Sequence, residues 1–201
     1  MTCEDSTKYF LTTIEELNDD SLFDFLADKG IPASTARKYL QQVRLYNRDA
    51  RKHFRTVGML NEDEGFELRS SVLSDHIMSE RDVSFIRGLQ LVPPCVHVFL
   101  DMMDYLLVVS RQPEEAFMGD AIVLHSLDLL HKVPPYVYQY GYDYLYSWMP
   151  NTNEGMMART RLTAICASEP GLRHRPQNTL YADHKTVNAA FYRQPGPIRF
   201  F

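Results

Sequence analysis

Apolar residues recur at helical spacing through the first third of the chain. Four of them precede Gly30, a residue type common just after a helix, and they predict a helix. The four are Leu22, Phe23, Phe25 and Leu26. The pair Thr12 and Glu15 has the spacing of a capping box, which predicts that a short helix opens there. A further helix is predicted from the N-cap Ser34 to about Tyr46, so that two helices form an αα-hairpin.

The pattern then changes to that of a β-hairpin. Residues 53–69 alternate as two strands, and the turn residues of 61–65 separate them. Ser79 and Asp82 match a second capping box, which predicts a helix to about Gly88.

Short apolar runs alternate with helical stretches in the second half of the chain. Runs that suit strands buried on both faces lie at 95–100, 121–125 and 142–149. Helices are predicted at 101–112, from the end of the second run to about 132, at 153–168 and at 185–193. Because strands that alternate with helices form parallel sheets, the predicted fold class is α/β. A small α+β subdomain at 1–92 precedes this sheet domain, which spans 93–201.

Charge is unevenly distributed along the chain. The net charge of −5, from 21 basic and 26 acidic residues among 201, excludes a uniformly basic nucleic-acid binder. Residues 1–36 contain eight acids and two bases, whereas residues 37–55 contain seven bases and one acid. Residues 159–201 contain seven bases and two acids. Local basic surfaces are therefore compatible with the acidic total.

The basic stretch at 37–55 is the candidate for nucleic-acid binding, through salt-sensitive contacts with phosphates. Its members are Arg37, Lys38, Arg44, Arg48, Arg51, Lys52 and Arg55. The first three are expected on the predicted helix, and the others lead into the hairpin. The alternative is a solvated face that pairs with the acids of 1–36.

Cysteines and common motifs narrow the function classes. Cys3, Cys95 and Cys166 form no C-x-x-C pair, which excludes a zinc ribbon, and a disulfide framework is not expected. The acidic N-terminus and the lack of an 18-residue apolar run predict a cytoplasmic protein with no membrane partner. Nucleotide-binding and hydrolase glycine motifs are absent. His125 ends the second apolar run, where α/β sheets place ligands.

The order of these elements, with several short stretches, resembles primase-like proteins that carry a TOPRIM (topoisomerase–primase) domain. The stretches are 26–31, 35–39, 65–69 (Gly-Phe-Glu-Leu-Arg), 98–106, 122–127 and 148–155 (Trp-Met-Pro-Asn-Thr-Asn-Glu-Gly). The chain resembles in particular the small primase-like proteins of bacterial mobile elements. This resemblance implies a TOPRIM-like compact parallel sheet flanked by helices, preceded by a helical hairpin and a β-hairpin.

The same resemblance implies an active site whose acids this sequence lacks. The family has a glutamate after its first core strand and Asp-x-Asp after its third, and these carboxylates serve general acid/base catalysis and hold Mg²⁺. The glutamate position is Leu100 here, and the two aspartate positions are Pro150 and Thr152. None of the three offers a carboxylate, so no catalytic residue is assigned.

Three residual acids lie near those positions: Asp101, Asp104 and Glu154. A metal site could be rebuilt from them with Asn151, and Mg²⁺ is expected only in that case. Otherwise no cofactor and no metal ligand is expected. The alternative for Asp104 is a structural hydrogen bond to a loop, and for Glu154 a favourable charge at a helix N-terminus.

Aromatic residues alternate strictly between 136 and 148. If the run formed one strand, its rings would share one face. That face would be a base-stacking platform, a surface packed under a helix, or an interface for a protein partner or a second copy. Tyr142, Tyr144 and Trp148 are assigned to this interaction surface.

These observations favour a catalytically inactive, primase-related protein that acts as a DNA-associated accessory factor of a mobile element. Two alternatives remain open. One is a protein-interaction module that has lost DNA binding. The other is a divalent-metal-dependent phosphoryl-transfer enzyme with displaced acids.

Overall fold

The chain divides into two compact units. The computed structural model describes residues 9–73, 76–194, 196 and 198. Unit 1 comprises Met1–Asp28 and Pro32–Asp82, and unit 2 comprises Lys29–Ile31 and Val83–Phe201.

Unit 1 contains a five-stranded antiparallel sheet whose strands follow one another in chain order. The strands are β1 (Tyr9–Glu16), β2 (Gln41–Asn47), β3 (Lys52–Leu60), β4 (Phe66–Arg69) and β5 (His76–Met78). Two helices, α1 (Asp20–Ala27) and α2 (Ala33–Tyr39), lie between β1 and β2 in sequence. A small core that includes Val43, Leu45, Phe66 and Leu68 supports the sheet.

Two helix predictions in unit 1 are wrong. Thr12 and Glu15 lie in β1 instead of capping a helix, because β1 pairs with β2 along its length and this pairing outweighs a local signal. The helix predicted to Tyr46 ends at Tyr39, and Leu40 has extended backbone with φ at −122°. β2 follows at once, with its apolar side chains alternating as in a half-buried strand.

The predicted hairpin is confirmed as β3, a turn and β4. Asn61 organises the turn, because its Oδ1 accepts hydrogen bonds from the N–H groups of Asp63 at 3.1 Å and Gly65 at 2.7 Å. Its Nδ2 donates to the carbonyl oxygen of Glu80 at 3.0 Å. A Cβ on Gly65 would lie 2.8 Å from the carbonyl oxygen of Met78, so the close approach requires glycine.

Unit 2 contains a five-stranded sheet in the order β10-β9-β7-β8-β6. The strands are β6 (Ser84–Ile86), β7 (Cys95–Phe99), β8 (Asp120–Val123), β9 (Tyr144–Trp148) and β10 (Arg173–Pro176). The helices are α3 (Met102–Val109), α4 (Pro134–Val137), α5 (Asn153–Ala167) and α6 (Val187–Phe191), with short 3-10 segments between some elements. β10, β9, β7 and β8 are parallel, and β6 is antiparallel to β8.

Two elements of unit 2 differ from the sequence predictions. The helix predicted to about Gly88 is wrong: Ser79 has φ at +74°, unlike the extended backbone of an N-cap, and β6 follows. β6 therefore belongs to the second sheet, although it precedes the sequence-based division at 92/93. β10 was not predicted, because Arg-His-Arg-Pro carries no apolar signal.

The two faces of the unit 2 sheet differ in composition. Val98 and Leu145 share a core cluster with Leu162 of α5. The opposite face carries aromatic side chains, because successive residues of a strand point to opposite faces. Phe99 and Trp148 stack there with ring centroids 5.3 Å apart, and both are fully buried.

Two further expectations concern the membrane and the thiols. Over the described residues, no helix combines the length and apolar character needed to cross a bilayer. Cys95 and Cys166 are free thiols, and Cys3 lies outside the described residues.

Candidate functional site

The carboxyl ends of β7 and β9 lie side by side in unit 2. The two strands are parallel neighbours, and their last residues, Phe99 and Trp148, are paired. Leu100 follows β7, and Pro150 and Thr152 follow β9, so the three positions that the resemblance singles out meet at one edge of the sheet. We call this edge, formed by residue 100 and residues 149–152, the carboxyl edge. Leu100 is half-buried against the core cluster and Pro150 is buried.

Asn151 ties the carboxyl edge to the segment that follows β10. Its Nδ2 donates to the carbonyl oxygens of Tyr181 at 2.9 Å and His184 at 3.0 Å. Its Oδ1 accepts a hydrogen bond from Nδ2 of Asn178 at 3.2 Å, and its backbone N–H donates to the carbonyl oxygen of Lys185 at 2.8 Å. The amide at the middle of the expected Asp-x-Asp position is therefore engaged within the fold.

Thr152 has a structural task at the same edge. It is the N-cap of α5, and its Oγ1 accepts a hydrogen bond from the N–H of Gly155 at 3.1 Å. A Cβ on Gly155 would lie 2.0 Å from the carbonyl oxygen of Pro150, so the helix approaches the strand end too closely for any other residue. Arg159 donates to the same carbonyl at 2.9 Å.

The residual acids Asp101 and Asp104 lie at the start of α3. Asp101 is its N-cap, and its Oδ1 accepts a hydrogen bond from the N–H of Met103 at 2.7 Å. Asp104 is buried, and its Oδ1 accepts from the N–H of Asn188 at 2.8 Å. Burial, with a smaller contribution from the charge of Asp101, raises the pKa of Asp104 to about 7. Asp104 thus has a structural hydrogen bond, as the alternative expected, but its partner lies in α6 and not in a loop.

Glu154, the third residual acid, is exposed in the first turn of α5. Hydrogen bonds from its own backbone N–H and from Thr152 lower its pKa. Among the residues that the structure describes, no three His, Cys, Asp or Glu side chains come together as a metal site would require. Asp101 and Asp104 are engaged by backbone N–H groups, Asn151 and Thr152 are bonded within the fold, and Leu100 and Pro150 have no side-chain oxygen. This donor set does not fit the Mg²⁺ of the resembled family.

His125 lies at the carboxyl end of β8, with φ at +61°. Its Nε2 and Oγ of Ser84 are 2.8 Å apart, and both side chains are buried. A Ser–His pair can act as a nucleophile and base only where a substrate reaches it. Because both side chains are buried, the pair instead links β6 to the end of β8.

The predicted nucleic-acid residues lie on several elements of unit 1. Arg37 and Lys38 are on α2, as expected. Arg44 is on β2 and not on a helix, because the helix ends at Tyr39, and it is paired with Arg55 of β3. The remaining three, Arg48, Arg51 and Lys52, are exposed at the β2–β3 turn.

Contacts distinguish these cations from one another. Arg55 forms an ion pair with Asp19 at 2.5 Å, so the alternative of pairing with the acidic segment holds for this residue. A hydrogen bond from Ser21, with a further one from Arg55, lowers the pKa of Asp19. Arg48 lies over the ring of Phe10 at 4.5 Å and remains exposed. The β2–β3 turn therefore presents cations to solvent.

A cleft of about 800 Å³ in unit 1 has walls of mixed charge. Arg37 and Lys38 line it, and so do Glu15 and Glu16. The carboxylates oppose the binding of a polyanion, so this cleft is a weaker candidate than the β2–β3 turn.

The aromatic run does not form one strand. Tyr136 lies in α4, and β9 begins at Tyr144. The assignment of Trp148 and Tyr142 to a surface is wrong, because both side chains are buried. Trp148 Nε1 donates to Nδ1 of His97 at 3.2 Å, and the hydroxyl of Tyr142 bonds to a buried carboxylate. Of the three assigned residues, Tyr144 is the one that is partly exposed.

Sequence reasoning missed two arginines beside Tyr144. Arg173 and Arg175 of β10 are exposed, and each guanidinium lies 5.5 Å from the centre of the Tyr144 ring. Their alternation around His174 was the available signal, since residues two apart on a strand share a face.

Comparison with known proteins supports a primase-like fold. The T7 bacteriophage primase fragment, from the primase-helicase protein, matches 80% of this chain with a TM-score of 0.55 and 12% sequence identity. This chain spans 65% of the length of that fragment. At this identity the similarity establishes the fold alone.

A second solved structure and a family model were also matched. A bacteriophage T7 assembly, the lagging-strand DNA polymerase with primase domains bound to an RNA/DNA hybrid and dTTP, matches 85% of this chain and 90% of that chain. Its TM-score is 0.43 and its identity 16%. The domain of unknown function DUF8464 matches residues 11–77. No curated protein matches the chain.

Proposed function

We propose that this chain is a non-catalytic, primase-related protein that binds DNA as an accessory factor of a mobile element. Its fold is similar to that of a bacteriophage primase fragment. The observation that carries the proposal is the β2–β3 turn, where Arg48, Arg51 and Lys52 are exposed in a chain whose net charge is −5. Such exposed cations bind phosphates without sequence preference.

The carboxyl edge supports the non-catalytic part of the proposal. Phosphoryl transfer on a fold of this kind needs carboxylates that hold a divalent ion. Leu100, Pro150 and Thr152 lie where the resemblance expects those acids, and Asn151 is engaged by the segment after β10. The TOPRIM-like arrangement is part of this proposal, and the chemistry of that family is not.

Binding of fluorescently labelled single-stranded and forked DNA, followed by anisotropy across a salt series, tests the proposal. Arg48→Ala with Arg51→Ala removes two exposed cations, so we expect weaker binding at low salt and a shallower dependence on salt. Arg161→Ala with Lys185→Ala removes two exposed cations of unit 2 and is the matched control. Absence of binding at low salt, or equal affinity of the Arg48/Arg51 variant and wild type, would refute the proposal.

A protein-interaction module is the second candidate, favoured by strand β1. This strand lies at the edge of the unit 1 sheet, and its Phe10, Leu11 and Ile14 side chains are 39–43% exposed. Long edge strands with exposed apolar side chains readily pair with another chain. Light scattering after gel filtration would show a dimer that Leu11→Lys disrupts. The exposed Val72→Lys is the control, and a monomer at high concentration would exclude self-association through β1.

A further inference from the structure

The amino ends of β9 and β10 present a partly open group of rings and guanidinium groups in unit 2. Parallel pairing places Arg173 beside Tyr144, and Arg175 beside Tyr146. Paired residues of neighbouring parallel strands point to the same face, so these four side chains share one face of the sheet. We call this group of four residues the tyrosine platform.

The geometry of the tyrosine platform combines π-surfaces with positive charge. The ring centroids of Tyr144 and Tyr146 are 6.1 Å apart, and both side chains are half-buried. The guanidinium carbons of Arg173 and Arg175 each lie 5.5 Å from the Tyr144 ring centre. Both arginines are exposed, so their remaining N–H donors face solvent.

Further rings of unit 2 stack on Tyr146 and fix the position of the tyrosine platform. Tyr146 stacks on His97 with centroids 5.0 Å apart, and His97 stacks on Phe117 at 4.2 Å. Trp148 fixes the His97 ring through the hydrogen bond to its Nδ1. A side chain that is already ordered loses little conformational entropy when a ligand stacks on it.

Two titratable groups beside the tyrosine platform carry no charge at neutral pH. Cys95 of β7 is paired with Tyr144 of β9, and burial raises the pKa of the Cys95 thiol to about 11. Burial lowers the pKa of His174, on the other face of β10, to about 4. At neutral pH the thiol and the imidazole are therefore uncharged. The two exposed guanidinium groups of Arg173 and Arg175 outnumber the exposed carboxylate of Asp143, which precedes Tyr144.

We propose that the tyrosine platform binds unpaired bases of single-stranded nucleic acid. A base stacks on the Tyr144 ring, the next base lies towards Tyr146, and Arg173 and Arg175 contact the phosphates. Aromatic rings combined with cations are how sequence-tolerant single-strand binding is achieved in general. This inference rests on the proposed function, and it adds a second contact site and a preference for unpaired strands.

The chemistry favours a single strand over the other polyanions. The bases of a duplex are stacked on one another, so their faces are closed to a tyrosine ring, whereas a single strand can open between bases. Charge complementarity favours an anion over an uncharged apolar segment. An acidic protein segment would use the arginines without needing a planar partner for Tyr144.

Photo-crosslinking tests the contact directly. A single-stranded oligothymidylate that carries 5-iododeoxyuridine is irradiated with the full chain, and the modified peptides are identified by mass spectrometry. We expect the label on Tyr144 or Tyr146. Labels confined to unit 1 would overturn the inference and leave the proposed function intact.

Affinity for unmodified oligothymidylate provides the second readout. Tyr144→Leu removes the ring and should weaken binding roughly tenfold, whereas Tyr144→Phe keeps the ring and should bind as wild type does. Tyr140→Leu, at another exposed tyrosine of unit 2, is the matched control and should have no effect. Equal binding of Tyr144→Leu and wild type, or equal losses in the leucine and phenylalanine variants, would overturn the inference.

The two proposals fail in different ways. If Arg48→Ala with Arg51→Ala weakens binding but Tyr144→Leu does not, the platform is refuted and the basic turn stands. If an acidic peptide displaces the oligonucleotide and depends on Arg173 and Arg175 but not on the Tyr144 ring, the platform is a protein site and the inference is refuted. If wild type binds no oligonucleotide at low salt, both proposals fall.

Discussion

The two ends of β9 use their side chains in opposite ways. At the carboxyl end, Asn151 and Thr152 bind other parts of unit 2. At the amino end, Tyr144 is partly exposed, with Arg173 and Arg175 beside it. Ligands of open α/β sheets usually bind outside the carboxyl ends of the strands. The fold therefore predicts a site at the carboxyl end. Which end can bind a ligand depends on whether its polar and aromatic side chains are exposed or already bonded within the fold.

Close packing and internal hydrogen bonds occupy the groups at the carboxyl end of β9. The N-terminus of α5 approaches Pro150 so closely that only a glycine fits at position 155. Tyr181, buried in the segment after β10, donates its hydroxyl to the carbonyl oxygen of Met149 at 2.8 Å. Substitutions at this end should therefore change stability, and those at the amino end should change binding.

Gly155→Ala should have the largest effect on stability. A helical Gly→Ala substitution normally stabilises by up to about 1 kcal/mol, but here the added Cβ meets the Pro150 carbonyl oxygen at 2.0 Å. We expect a loss of about 4 kcal/mol, measured by urea unfolding. The exposed neighbour Met156→Ala is the control. A stabilised Gly155→Ala would show that the carboxyl end is loosely packed and that the two ends of β9 do not differ in this way.

Asn151→Ala should have the next largest effect. It removes the donors to the Tyr181 and His184 carbonyl oxygens, and we expect a loss of about 3 kcal/mol. Hydrogen exchange should also become faster in the segment after β10. Asn153→Ala, at an exposed position of α5, serves as the control. Unchanged exchange in that segment would contradict the role assigned to Asn151.

Asp104→Asn should change how stability depends on pH. Burial raises the folded-state pKa of Asp104 to about 7 from 3.8, so the folded state binds the proton more tightly. This contribution is complete below pH 3.8 and is lost as the pH rises through 7. Relative to wild type, the asparagine variant should therefore gain about 2 kcal/mol between pH 5 and pH 8.

Comparing the Asp104→Asn variant with wild type at each pH removes the opposing contributions of His97 and His174. Burial lowers the pKa of these residues to about 3 and about 4, so their contribution is lost as the pH falls below 6.5. Thermal unfolding at pH 5, 6.5 and 8 provides the measurement. A difference between variant and wild type that is independent of pH would mean that Asp104 stays ionised.

Arg173→Ala with Arg175→Ala should have the smallest effect on stability. Both guanidinium groups are exposed, and a cation–π contact at an exposed site contributes about 0.5–1 kcal/mol. We expect the two contacts together to contribute about 1–2 kcal/mol to the free energy of unfolding, and the variant to lose no more than that. A loss as large as that of Asn151→Ala would mean that the amino end is also structural, and the contrast between the two ends would disappear.

The sequence predicted unit 2 better than unit 1, for a physical reason. β7, β9 and α5 carry continuous apolar or helical patterns, so local composition and tertiary structure agree there. β1 and β2 owe their conformation to pairing with each other, and the capping signal of Thr12 and Glu15 points to a different local structure. Where the partner lies far along the chain, a local pattern does not reveal it.

The site was predictable only in part. The positions of Leu100, Pro150 and Thr152 at one edge followed from parallel neighbouring strands. The role of Asn151 did not, because the partners of its side chain lie 27 to 33 residues away. The burial of Trp148 was equally hidden, since an alternating aromatic run fits an open face or a packed one.

The burial of Trp148 has a spectroscopic consequence. It is the only tryptophan in the chain, and it is fully buried and bonded to His97 in unit 2. Its emission therefore reports the interior of unit 2 directly, whereas far-ultraviolet circular dichroism reports both units. Measured together during unfolding, the two signals assign each transition to its unit without any added label.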